Sequence, residues 1–136
     1  MTLVEVVIAF AIVTVTVGGI ITGYNYCLTS SVKDGLYMAA NARAMERMEE
    51  ARSAQWDTSP GSPADYLATS NFPPQVVILD KYAMSSNAVT ATLKTQIFTI
   101  STKPPVRGIH VDCIWQFQDP NTWITNSVET CRSPDQ

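Results

Sequence analysis

Few residues in this 136-residue chain could do chemistry. The single histidine, His110, stands two places before Asp112 in VRGIHVDCIWQFQ (106–118). The two could form a dyad or half of a metal site. On a strand, however, His110 falls on the face opposite Cys113 and Trp115, where a lone outward histidine is most simply polar surface. There is no CxxC, no HExxH, no haem-attachment CxxCH and no phosphate-cradling glycine loop. Gly18, Gly19 and Gly23 lie in an apolar run that lacks a Walker or dinucleotide pattern. Tyr24, Tyr26 and Tyr37 read as membrane-belt and packing residues before any electron path. The sequence therefore predicts no catalytic residue, no cofactor and no metal site. The one group that looks out of place is a carboxylate, Glu5.

Glu5 is the only charged side chain in residues 1–32, which leaves eleven acidic and nine basic residues for 33–136. The formal net charge of −3 offers no basic excess for nucleic acid, so none is predicted as a partner. Leu3 to Ile21 is almost wholly apolar. As a helix of about 20 residues it would reach about 30 Å, the thickness of a bilayer's hydrocarbon core. Tyr24 and Tyr26 follow where an aromatic belt would sit. No Lys or Arg precedes the run, as a secretory signal peptide would require, and the run starts at residue 1 as if something before it had been removed. A carboxylate at a bilayer centre costs about 2.5–3.5 kcal/mol on insertion scales, and less near a helix end. Glu5 could snorkel to the interface. It could instead pair with a cationic α-amino group one helical turn away, on its own chain or on a neighbour, and so fix the axial register between chains.

The elements that must carry these residues follow from periodicity. Residues 24–56 continue as an amphipathic helix. Met38, Ala42, Met45 and Met48 step by four, three and three and predict one apolar face. Arg43–Glu46, Arg47–Glu50 and Glu49–Arg52 are opposite charges three apart, worth about 0.2–0.5 kcal/mol each. The Pro- and Gly-containing stretch that begins at Asp57 stops the helix and opens a connecting loop over 57–75. Four segments then read as strands: Val76–Leu79, Ala88–Ser101, Val106–Gln118 and Thr122–Thr130. In the third, Ile109, Val111, Cys113, Trp115 and Phe117 share a face. Helix, loop and then three or four antiparallel strands make an α+β chain. The apolar face of the sheet is expected to cover the methionine face of the helix.

MTLVEVVIAFAI at a chain start resembles the mature N-terminus of type IV pilins and type II secretion pseudopilins, which begin with Phe or Met followed by Thr-Leu-aliphatic-Glu and a long apolar helix. Thr2, Leu3, Val4 and Glu5 match residue by residue. The resemblance is strong over about the first thirty residues and architectural beyond them. It implies a pilin fold with segments 1–23 (membrane and filament core), 24–56 (amphipathic half-helix), 57–75 (loop) and 76–136 (sheet). It implies a basic leader removed by a prepilin peptidase that also N-methylates Met1. It implies a structural subunit of a pilus-like filament rather than an enzyme, held in the bacterial inner membrane before assembly and then extracellular or periplasmic. Identical subunits and the assembly machinery would be its partners, with Glu5 and Met1 meeting during assembly. Methionine at position 1 tilts towards a minor pilin or pseudopilin that primes or caps a filament. A single-pass anchored ligand-binding protein is the alternative from another class.

The family also melts its helix locally in filaments. Extended or irregular backbone is therefore expected somewhere in Val15, Thr16, Val17, Gly18, Gly19 to Gly23 once assembled, although Thr22 stands where the family's proline usually does. Many pilins carry a C-terminal disulfide loop, which points to Cys113–Cys131. In an oxidising compartment the chain-entropy model values such a loop at about 3 kcal/mol. Two buried free thiols are the alternative. Cys27 is left as a small packing residue.

Overall fold

Helix α1 runs from Leu3 to Ser53 in the computed structural model, which describes residues 2–59, 63–80, 88–117 and 122–135. The chain divides into two units, Met1–Gly35 and Leu36–Gln136, and α1 contributes to both. In the second unit the helix lies on antiparallel strands. The class is α+β and consistent with a pilin-like fold, as the sequence predicts. The short strands β1 (Trp56–Asp57) and β2 (Ala64–Asp65) pair with each other. A 3₁₀ turn follows at Thr69–Asn71. Then β3 (Gln75–Ile78), β4 (Thr90–Thr102), β5 (Pro105–Gln116) and β6 (Trp123–Arg132) form one sheet in chain order. The strand boundaries fall within two residues of those read from the sequence. The helix stops three residues earlier, because Trp56 and Asp57 turn away to pair with β2.

The helix face that meets the sheet is not the methionine face. Leu36, Ala40, Ala44, Arg47, Met48 and Ala51 are the buried positions, whereas Met38 is 74% exposed and Met45 55%. Residues 38 and 40 differ by about 200° around a helix of 3.6 residues per turn, so the two stripes look in nearly opposite directions. Both have helical spacing, and burial tells them apart. Ala40, Ala44 and Ala51 lose all exposure and belong to the core cluster that also holds Ile109, Val111 and Trp115 of the sheet. Met48 belongs to this alanine row, four places after Ala44, and not to Met45.

Across the interface the expected alternation holds. Ile109, Val111, Cys113 and Trp115 are fully buried on the inner face of β5, with Phe117 partly buried against them. The polar atoms within this core are matched. Trp115 Nε1–H donates to Asn126 Oδ1 at 3.0 Å, and Asn126 Nδ2 donates to Asn41 Oδ1 on α1 at 2.9 Å. The Tyr37 ring meets Trp115 edge-on at 5.5 Å. All three sequence-predicted ion pairs form, at 2.6–2.7 Å. Arg47, although charged, is buried. Besides Glu50 it donates to Pro73 O at 3.0 Å and to Thr95 Oγ1 at 3.4 Å, and it lies over the Phe72 ring. These partners make burial of its charge tolerable and fasten the Pro73 corner to the helix.

Two further arginines hold the loop and the C-terminal tail. Arg107 forks onto both oxygens of Asp65 at 2.6 and 2.8 Å, donates to Leu67 O and stacks on the Trp56 ring. Its register partner on β6, Arg132, donates to Ala54 O just past the end of α1 and pairs with Asp135. A cation there also suits the negative end of the helix dipole. Asp135 exchanges backbone and side-chain hydrogen bonds with Trp56, at 2.7 and 3.0 Å. Beyond the end of β3, Thr69 Oγ1 accepts the Ile97 N–H and donates to Ile97 O, standing in for a neighbouring strand.

Two expectations follow. The hydrogen bonds from Arg107 hold the Asp65 carboxyl below its usual range, and the Trp56 N–H and then Arg132 do the same for Asp135. A depressed folded value stabilises the fold above the unfolded carboxylate value near about 3.9, and that stabilisation is lost as pH falls through the folded value. Asp65→Asn should therefore shrink the drop in Tm of the detergent-solubilised chain between about pH 6 and about pH 3, and an unchanged drop would contradict the clamp. The second concerns Gly108, where an added Cβ would strike the Phe98 ring that covers it from β4. Gly108→Ala should cost about 1 kcal/mol or more in denaturant unfolding, and much less in a Phe98→Ala background.

Candidate functional site: Glu5 and the exposed apolar helix

The first unit is helical from Leu3 onward and has no buried residue among those described. Leu3 is 82% exposed, Phe10 70%, Val15 75% and Ile20 71%. Uncovered apolar surface on this scale marks a membrane or protein contact. This stretch is long and apolar enough to cross a bilayer and is a candidate membrane anchor.

In this β-branched, threonine-containing helical segment the hydroxyls bond back to the helix's own carbonyls. Thr14 donates to Phe10 O at 2.8 Å, Thr16 to Ile12 O at 2.8 Å and Thr22 to Gly18 O at 2.9 Å. No polar side chain then seeks water, which an apolar environment would not supply. The helix is continuous through Val15, Thr16, Val17, Gly18, Gly19 and Gly23 in the single chain. The unwinding expected from the family concerns the assembled state. The three glycines have an unusual setting: a Cβ added at any of them would meet nothing within 4 Å. Each costs roughly 0.8–1 kcal/mol against alanine in a helix interior, and no packing among the described residues offsets that.

Glu5 has a partner that the sequence reading did not weigh. Its Oε2 accepts the backbone N–H of Thr2 at 2.8 Å, while Thr2 O accepts the Val6 N–H that begins the helix. This is half of a capping box, and Thr2-Leu3-Val4-Glu5 is the T-x-x-E pattern that announces one. Thr2, seen only as part of the family pattern, is thus a working residue of the helix start. The carboxylate also lies at the positive end of the helix dipole. Met1 lies outside the described residues, so its amine is not placed against Glu5.

The proposed disulfide is corrected by strand register. Cys113 sits opposite Asn126, and Cys131 opposite Gly108, five residues further along β5. At about 3.4 Å per residue that separates the two by about 17 Å, on opposite faces of the sheet, where a disulfide needs Cα atoms within about 7 Å. All three cysteines are free thiols, with Cys113 buried and Cys27 and Cys131 exposed. Both cysteines flank the turn, but an odd offset along paired strands sends one to the core and the other to the surface.

The remaining candidate chemistry is small. His110 points outward as expected. Asp112 Oδ1 lies 3.0 Å from its Nε2, and Glu129 approaches Nδ1 at 3.7 Å. Ser127 Oγ also donates to Asp112 Oδ1. The two carboxylates address opposite edges of the ring, so one ion could not reach both with the imidazole. No group among the described residues is placed to hold a metal. A groove between α1 and β3–β4, about 220 Å³, is lined by Arg43, Glu46, Arg47 and Glu50, and these pair with each other. Comparison with protein-family models, curated proteins and solved structures found no match.

Burial alone pushes the Cys113 thiol up to about 11. Maleimide should therefore label Cys27 and Cys131 in the folded chain and reach Cys113 only on denaturation. Rapid native labelling at Cys113, or protection at Cys131, would contradict the register.

Proposed function

We propose that this chain is a structural subunit of a bacterial type IV pilus or a related extracellular filament, polymerising through its N-terminal helix. The observation that carries this reading is the apolar surface of Leu3–Ile21, uncovered by its own chain and headed by a capped carboxylate. Lipid of the inner membrane covers that surface first. Packing against identical helices covers it later, with the sheet units outside. Burial passes from one apolar environment to another, so little hydrophobic free energy separates the two states, and packing and polar pairing decide between them.

Glu5 suits that exchange. In lipid the Thr2 amide reduces the cost of its charge. During docking it pairs with the amine of Met1, its own or a neighbour's, and sets the axial register. The uncompensated glycines at 18, 19 and 23 support the same reading, since close approach of a second helix or local unwinding would use them. Prepilin peptidase processing and N-methylation of Met1 belong to this proposal. A minor pilin or pseudopilin role is favoured by the methionine at position 1, and abundance in sheared filaments separates it from a major subunit.

Hydrogen bonds to charged groups contribute about 1.5–3 kcal/mol, so Glu5→Ala should cut filament yield about tenfold or more while membrane insertion stays intact. Normal filament yield from that variant would refute the assembly role. Loss of insertion itself would mean that Glu5 acts in the membrane instead.

A further inference from the structure

We draw no further inference here: the strongest candidate, the outward stripe of Met38, Ala42 and Met45 on the part of α1 that packs on the sheet, is an exposed apolar helix face, and nothing in the structure shows what covers it.

Discussion

The constraint on which the rest depends is that the front of α1 is left uncovered among the described residues. Val, Ile, Leu and Phe side chains between Leu3 and Ile21 are exposed. Apolar area of that extent must be removed from water by something outside the chain. A bilayer can do it, and so can a bundle of the same helices. The internal hydrogen bonds fit either setting. Thr14, Thr16 and Thr22 return their hydroxyls to the helix, and Thr2 and Glu5 close its first turn.

The second unit holds the buried core. Its part of the helix meets the sheet through Leu36, Ala40, Ala44, Met48 and Ala51, which share one buried core with the inner face of the strands. Asn41 and Asn126 fix that contact with hydrogen bonds to each other and to Trp115. Arg47, Arg107 and Arg132 each collect a carboxylate and a main-chain carbonyl, and so fasten the Pro73 corner, the β2 ribbon and the C-terminal tail. The irregular segments thereby gain bidentate, partly shielded anchors of the kind arginine provides best.

Much of this architecture is legible in the sequence. Alternation along β5 names Ile109, Val111, Cys113 and Trp115 as core, and the three-apart charges on α1 name three ion pairs that form. Where the reading failed, two patterns of equal period competed. The methionine and alanine stripes have the same helical spacing, and only the observed burial of Ala40, Ala44 and Ala51 tells them apart. Arg47 is charged by type and buried by the partners that Thr95 and Pro73 bring from distant positions, which no local pattern contains. The Cys113–Cys131 pair failed on strand register, which counts residues through a turn and cannot be read from proximity in the chain. Thr2 failed differently. Its T-x-x-E pattern is that of a capping box, but the same carboxylate also suits pairing with an amine, and only the bond from the Thr2 N–H identifies the cap.

The sheet and the alanine interface would serve many proteins. The proposed role rests on what covers the first unit in the cell. Electron microscopy of sheared cell-surface material, with mass spectrometry of its main band, addresses that directly. Filaments that contain this chain, with a methylated amine on Met1, are the expected result. A chain that stays wholly in the membrane fraction, unmethylated and absent from any filament, would contradict the filament proposal.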